Sequence, residues 1–475
     1  MNPYHLGEVK PLGKYTWFLG QVASLERYGR NRVRVALDAI PLRWAQQLWQ
    51  STGGNFEPSP EATARFFETA PFFKVEATLD RDSSRALLDV LLYKASNSEV
   101  PSPLGLLGQW LRVHFEVRHR GNAICYSSVA DTGTAGSVYL LDAAPQDVVR
   151  YLNTFRPSVK VVAHDDPELL DELSKIRHPH AMAVLDVGQG SANVMLDEVG
   201  RPLLYFDAGR GVFGNLGTAP AGLKYCVCGH DDNPVPVLLS HWHEDHYLGT
   251  LSDTDLLTCT WFTPPAATLQ QMAFQNSILL AGSKVYQLLP AFPNFQFGTS
   301  GSYTLAKCTG NVNNPNEVGH ALKIEQQDRR WLLPADASYI NIPLPSEEDF
   351  TAVVASHHGG RFKNSFVPNR SPGYARMVYS FGPSNSYKHP KAASVTKHAV
   401  KWSHSNWKGA AMPGVTPPST ASDVRATAIH GVLPLPGVLP MHAGAVAIGW
   451  QGPPSIATLT GACPNCGKSF NILQN

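Results

Sequence analysis

Four metal-ligating side chains fall within six consecutive residues, His241-Trp242-His243-Glu244-Asp245-His246, and little other than metal coordination requires that spacing. The preceding run, Val235 to Leu239, is short, apolar and β-branched, which predicts a buried strand that delivers the motif to a loop at a sheet edge. On an extended loop alternate residues share a face. His241 and His243 are therefore expected to hold one ion. Asp245 and His246, one step further on where a helix begins, are expected to hold a second ion about 3.5–4 Å away. The plain alternative is a histidine-rich surface loop, and the partners downstream weigh against it.

At 475 residues the chain is too long for one ordinary core, so two domains and a tail are expected. A formal net charge of +1 with 16% charged residues excludes a globally basic nucleic-acid coat and an acidic disordered protein. Residues 1–20 carry Lys10, Pro11 and Lys14 where a secretory signal would be apolar. No apolar stretch is long enough to span a membrane, so the expectation is a soluble protein without a membrane partner. Seven scattered cysteines suit a reducing cytoplasm with thiols or a metal site.

Residues 1–175 read as a separate mixed α/β accessory domain. Arg32–Leu37 and Phe73–Ala77 alternate like strands, and 86–95 and 144–154 read as helices. The segment carries no ligand spacing, and its expected role is structural or the docking of a protein partner. Residues 165–176 read as a helical connector. From Ala181 the texture changes: Met182–Leu185 leads into Asp186-Val187-Gly188-Gln189-Gly190, Ala192–Leu196 forms a second strand, and Leu203–Phe206 a third that ends at Asp207-Ala208-Gly209. A carboxylate at Asp207 can orient a ligating histidine from behind.

These motifs, with the histidine segment, resemble the opening motifs of the metallo-β-lactamase fold. Three later pieces extend the likeness: Leu332-Leu333-Pro334-Ala335-Asp336-Ala337, Val353-Val354-Ala355-Ser356-His357-His358-Gly359-Gly360, and Ser380 to Pro390. In order and spacing they resemble the metallo-hydrolase domain of the ComEC family of DNA-uptake competence proteins, over about residues 180–450. The resemblance implies an α/β fold of four αβ/βα layers at 176–455; the accessory domain at 1–175 and a Cys-containing tail at 456–475 are read from the residues alone. Departures are specific. Ser191 stands where the ComEC-type pattern usually has an acid, His243 stands where an acid is frequent, and no membrane channel accompanies the domain, so a transport role does not carry over.

Hydrolysis with two divalent ions, zinc or alternatively manganese, needs ligands on both, a bridge and an open position for water. His241, His243, Asp245 and His246 supply the first set, and Asp336, after the apolar strand Trp331–Leu333, is placed to bridge. His320 either completes the first ion or is an ordinary strand-start histidine. His389 is expected on the second ion. His357 and His358 are adjacent and point apart, so one of them is expected to serve as general acid, with Asp245 assisting catalysis. The expected reaction is attack by a hydroxide bridging the two ions.

From Phe350 to Ser422 there are nine Lys or Arg (361, 363, 370, 376, 388, 391, 397, 401, 408) and no Asp or Glu. Interleaved aromatics, among them Phe362, Phe366, Tyr374, Tyr379, Phe381, Tyr387, Trp402 and Trp407, offer stacking surface. A phosphodiesterase or nuclease is therefore expected, with Arg361, Lys363 and Lys388 contacting a nucleic acid or nucleotide. The competing readings are a solvated basic face over core aromatics, with a small ester, lactone or phosphonate as substrate, and a partner-dependent binding component whose metal site is regulated. At the C-terminus, Cys463-Pro464-Asn465-Cys466 has zinc-knuckle spacing. Either it joins Cys226 and Cys228 around an additional structural zinc, or it stays a separate knuckle. Cys125, Cys259 and Cys308 read as small buried apolar residues.

Overall fold

Alternating apolar and polar residues build a closed six-stranded barrel from the N-terminal part of the chain in the computed structural model. Residues 1–10, 12–13, 16–27, 32–53, 57–80, 82–83, 85, 87, 105–229, 234–344, 347–363, 366–403, 423–428, 444–454, 466, 468 and 472–473 are described. Around the barrel the strand order is Trp17–Arg27, Val33–Pro41, Phe73–Leu79, Ala123–Tyr126, Thr134–Ala143 and Trp110–Val117, which returns to the first. Every pairing is antiparallel, and closure leaves no sheet edge to protect. Phe18, Val22, Val35, Leu37, Phe73, Val75, Val113 and Phe115 fill the interior. Where mixed α/β was expected, the unit is thus a β-barrel accompanied by the helices Leu42–Ser51, Pro60–Thr69 and Gln146–Leu152. The expected strands are present; what alternation along one strand does not reveal is that the sheet closes. The helix read over 86–95 lies almost wholly outside the described residues.

The barrel unit comprises Met1–Lys160, Pro265–Ser283 and Asn311–Pro315, and the second unit comprises Val161–Pro264, Lys284–Gly310 and Asn316–Asn475. The boundary expected at 175/176 is corrected on both counts. The connector read over 165–176 is the helix Pro167–Ser174, N-capped by Asp166, and its Leu169 and Leu173 belong to the second unit's core. Conversely, the helix Leu269–Leu280 belongs to the barrel unit. It starts with a capping box between Thr268 and Gln271, and Thr268 Oγ1 donates to Asp38 (2.6 Å) while the Leu269 amide donates to Gln21 Oε1 (2.7 Å). Nearly all its residues are buried, so it lacks the one-sided pattern that would mark it for a particular neighbour.

Two mixed sheets make the second unit. The nine-stranded sheet runs Ile472–Leu473, Ala445–Ile448, Ala181–Val184, Ala192–Leu196, Pro202–Ala208, Val237–Leu238, Trp261–Thr263, Val285–Leu288, Lys160–Val162. The seven-stranded sheet runs Phe295–Phe297, Tyr303–Lys307, His320–Gln326, Arg329–Leu333, Ala352–Val354, Arg376–Tyr379, Val424–Ala426. They share one apolar interior: Met182, Val184, Phe206, Leu238 and Phe262 from the first, and Leu305, Leu322, Ile324, Leu333 and Val354 from the second. The indole of Trp331 stacks on that of Trp450 at 3.7 Å. The far face of the seven-stranded sheet carries a second apolar layer, in which Ala321, Val353 and Met377 pack with Val395 of the helix Ala392–His398 and with Trp402.

Each sheet repeats the same pattern, an antiparallel meander that ends in a switch to parallel pairing. The switch falls between Pro202–Ala208 and Val237–Leu238 in one sheet and between Arg329–Leu333 and Ala352–Val354 in the other. Loops leaving the C-terminal ends of strands at such a switch are where α/β sheets place their ligands. Asp207 and the 239–246 loop leave the first switch; Asp336 and the 355–360 loop leave the second. The tail expected to be separate at 456–475 instead contributes Ile472–Leu473 as a parallel edge strand.

Candidate metal centre

The histidine segment is not extended. The His243 amide donates to His241 carbonyl oxygen (3.1 Å) and the His246 amide to His243 carbonyl oxygen (2.9 Å), so the chain turns tightly before the helix Glu244–Tyr247. This turn folds His246 back onto His241, ring to ring at 4.1 Å, and corrects the expected pairing of ligands. Among the described residues the converging groups are His241 with His246 and Asp336, and Asp245 with His246 and His358. His243 stands beside His241 (4.7 Å between rings) but is half-buried and outside both groups. Gly209 permits the packing, because a Cβ there would lie 1.8 Å from the Asp245 carbonyl oxygen.

Asp336 sits at the centre. Its Oδ1 lies 3.2 Å from His246 Nε2 and 3.6 Å from His358 Nε2; its Oδ2 lies 3.7 Å from His241 Nε2 and 3.5 Å from His357 Nε2. Asp245 Oδ2 is 3.5 Å from His358 Nε2. Donors held at roughly 2.0–2.2 Å around a tetrahedral ion stand about 3.3–3.6 Å from one another, so these separations fit a shared cation better than direct hydrogen bonds. His241 Nε2, His246 Nε2, His358 Nε2 and Asp336 Oδ1 are all buried without a hydrogen-bond partner. Four such atoms facing one another would be costly unless a cation satisfies them.

Behind the ligands, hydrogen bonds fix the rings. Asp207, wholly buried, accepts from His246 Nδ1 (2.7 Å) and from Ser240 through both its amide (2.8 Å) and its hydroxyl (3.0 Å). This fixes the proton on Nδ1 and turns the Nε2 lone pair toward Asp336. His358 Nδ1 bonds the Ser380 carbonyl (3.0 Å). His357 and His358 both adopt left-handed backbone, a conformation non-glycine residues hold only where their surroundings impose it. Ser356, which precedes them, is anchored: its hydroxyl donates to the Ala337 carbonyl (2.7 Å), its amide donates to the Tyr339 hydroxyl (3.1 Å), and that hydroxyl meets His398 Nε2 (3.0 Å). At Gly359, also left-handed, a Cβ would strike Pro390 at 2.4 Å.

Charge follows this geometry. Burial, with His246 and His243 adjacent, holds His241 well below the ordinary histidine pKa and hence neutral. Burial opposes charge on His246 too, but the Asp336 and Asp207 carboxylates outweigh it and raise its pKa well above the usual value. His358 is likewise raised, against burial, by Asp336 and Asp245. Burial works against ionised Asp336, yet His357, His246 and His358 lower its pKa well below the carboxylate range. A divalent cation would take the place of those imidazolium protons.

Besides His243, two more expected ligands stand outside both groups. His389 is near: its ring centre is 5.3 Å from that of His357 and 6.5 Å from that of His358, and its Nδ1 faces Gln189 Nε2 at 3.3 Å. Burial and the two neighbouring histidines keep it neutral, with its pKa well below the ordinary value. His320 begins its strand with its ring on the face shared by Leu322 and Ile324, toward the apolar interior, and both its nitrogens are buried and unpartnered. The structure therefore favours the strand-start reading for it. Of the adjacent pair, His358 is grouped with the ligands and 4% exposed, whereas His357 is 30% exposed.

No protein-family model and no curated protein matches the chain. Several solved structures are similar to parts of it. The metallo-β-lactamase-fold protein YhfI from Bacillus subtilis is 14% identical, with 46% of this chain and 92% of that chain covered and a TM-score of 0.25. Zinc-bound PqqB from Methylobacterium extorquens is 13% identical over 36% and 71%, at 0.24. A variant of CmlA β-hydroxylase is 11% identical over 60% and 56%, at 0.23. At such identities and scores the likeness carries no argument.

The expected basic and aromatic face is largely corrected. Phe362, Tyr379, Phe381 and Trp402 are core residues, Phe366 and Tyr374 pack against the two cores, and Trp407 and Lys408 lie outside the described residues. Arg370 is paired with Asp423 (2.6 Å), Lys363 with Glu317, and Lys401 with Asn369. Arg376 lies over Tyr374 (4.5 Å) and Lys397 over Phe362 (4.6 Å). Arg361, Lys388 and Tyr387 remain exposed, flanking Gly360 and His389.

Among the residues that sequence reasoning missed, Ser240, Gln189, Ser380, Tyr339 and His398 orient the ligands. The Ser240, Gln189 and Ser380 positions fell within recognised motifs.

Proposed function

We propose that the protein is a metal-dependent hydrolase of the metallo-β-lactamase type, acting on phosphodiester bonds in a nucleic acid or nucleotide. The observation that carries the hydrolase reading is the set of buried, unpartnered atoms, His241 Nε2, His246 Nε2, His358 Nε2 and Asp336 Oδ1, converging on one carboxylate. His241, His246, Asp336, Asp245 and His358 would hold divalent metal, two ions being proposed, with His389 and His243 at the margin. Nitrogen and carboxylate donors suit zinc, with manganese the alternative. A divalent ion bound there lowers the pKa of water toward neutrality and offsets charge on the reacting group.

The chain's own residues supply the rest. His357, the most exposed of the cluster and 3.5 Å from Asp336, is placed to donate a proton to the leaving oxygen. Asp245, 3.5 Å from His358 on the other side, would share an ion with it. Arg361 and Lys388, exposed beside the histidine loop and His389, are suited to phosphate oxygens; Lys363, paired with Glu317, is not. The burial of most aromatics of this region favours one second reading, a small phosphoester, ester or lactone that needs no stacking platform. Cleavage of labelled single-stranded DNA, duplex DNA and RNA, beside a small phosphodiester, tests the choice. Polymer cleavage that is lost in Asp336→Ala and weakened in Arg361→Ser supports the nuclease reading. Turnover of the small substrate alone overturns it in favour of the second.

A further inference from the structure

Apart from the histidine cluster, three cysteines meet. The Sγ atoms of Cys226, Cys228 and Cys466 all lie within 4.8 Å of one another, and Cys226 to Cys466 is 3.6 Å. Thiolates about 2.3 Å from a tetrahedral zinc stand roughly 3.7–3.8 Å apart, so this spacing is that of a shared ion. Two of the three come from a loop and the third from some 240 residues later, so the meeting is made by the fold and not by local sequence.

The surroundings are built to hold it. In the loop, Tyr205 donates its hydroxyl to the Cys226 carbonyl (3.0 Å), the Tyr225 amide donates to Asp253 (3.0 Å), and Cys228 forms an antiparallel bridge with Pro234. From the tail, Lys468 reaches both Asp253 (2.5 Å) and Asp255 (2.8 Å). Asp253 thus ties the cysteine loop and the tail to one carboxylate. Beyond it, Ile472–Leu473 pairs with Ala445–Ile448 at the sheet edge. Cys226 is buried while Cys228 and Cys466 are half-buried, leaving the sulfurs reachable by an ion from solvent.

We propose that Cys226, Cys228 and Cys466 bind one structural zinc ion that clamps the C-terminal tail to the loop preceding the histidine motif. Binding displaces the thiol protons to solvent and leaves the cysteines reduced. The C-x2-C spacing of the sequence nominates Cys463 as fourth donor; it lies outside the described residues, and the test treats it separately. The site is independent of the hydrolase reading, since it shares no ligand with the histidine cluster.

The test uses the full-length protein, prepared under reducing conditions, stripped of metal and titrated with cobalt(II). Thiolate ligands give an intense sulfur-to-cobalt charge-transfer band that imidazole and carboxylate ligands do not. The expected result is such a band from the wild type, saturating at one equivalent and abolished when zinc is added. Asp336→Ala should retain it, and Cys466→Ser should lose it together with one zinc per chain by elemental analysis. Cys463→Ser should weaken the band if that residue is the fourth donor, and leave it intact if water or another group completes the site. Absence of the band from folded wild-type protein overturns the proposal. So does a Cys226–Cys466 disulfide that survives in protein isolated with zinc present.

Discussion

Asp207→Asn isolates the contribution of the buried carboxylate behind His246. In the native chain Asp207 accepts three hydrogen bonds, from His246 Nδ1 and from the Ser240 amide and hydroxyl, and it is wholly inaccessible to water. An asparagine fits the same volume but has only one acceptor oxygen. The Ser240 backbone N–H cannot rotate away, so the oxygen must serve it and the new NH2 group must face His246 Nδ1. Two donors then oppose each other unless the imidazole moves its proton to Nε2, the atom 3.2 Å from Asp336. That proton occupies the lone pair a metal needs. Losses of this kind cost about 10–100-fold in metal affinity, or roughly 1.4–2.7 kcal/mol. The lost charge-assisted hydrogen bond should also cost about 1.5–3 kcal/mol of fold stability. Zinc competition against a chromophoric chelator measures the first quantity; running it in a Cys466→Ser background for both proteins removes thiolate-held metal from the count. Folded Asp207→Asn protein that bound zinc within about twofold of its parent would refute the orientation argument.

Other expectations follow from single contacts. Gly209→Ala places a methyl group on the Asp245 carbonyl oxygen, and urea unfolding should show a loss of about 3 kcal/mol or more together with lost metal; a loss under about 1 kcal/mol would mean the loop can retreat. His320→Leu fills an apolar position and removes two unpartnered nitrogens, so it should be neutral or stabilising by up to about 2 kcal/mol and keep full metal content, unlike His241→Ala. If it lost metal as His241→Ala does, His320 would be a ligand. In the barrel unit, burial pushes His5 down to about 3. Its folded pKa lies below the unfolded value, so the unfolded chain takes up the proton first, and stability should fall as pH drops from about 6.5 toward 3, by up to about 1.4 kcal/mol per pH unit. A His5→Phe variant with the same pH slope as the wild type would contradict that assignment.

The parts of this site that were legible in the sequence are those whose chemistry is local. Ala192–Leu196 and Trp331–Leu333 are read directly from apolar runs, and His241, His246, Asp336 and Asp207 from acids and histidines that follow strands. Their grouping was not legible. Whether His243 or His246 partners His241 depends on a turn between adjacent residues, which the alternation rule cannot register. The positioning residues Ser240, Tyr339 and His398 are ordinary in sequence and acquire their role from neighbours 17–59 positions away. The basic, aromatic stretch misled for a related reason: Phe362, Tyr379, Phe381 and Trp402 are folded into the core, so their nearness to cations in sequence does not make a stacking surface. Closure of the barrel and the transfer of Leu269–Leu280 to its unit are likewise properties of non-local pairing.

The central claim is that the cluster around Asp336 is a working metal site for hydrolysis. Wild-type protein and Asp336→Ala, each stripped with chelator and reloaded with zinc or manganese, should be assayed on a generic phosphodiester and on an acyl ester. The expected result is phosphodiester hydrolysis that vanishes on stripping, returns on reloading and is absent from Asp336→Ala. Hydrolysis that survives both stripping and the substitution, or none on either substrate from metal-loaded wild type, would contradict it.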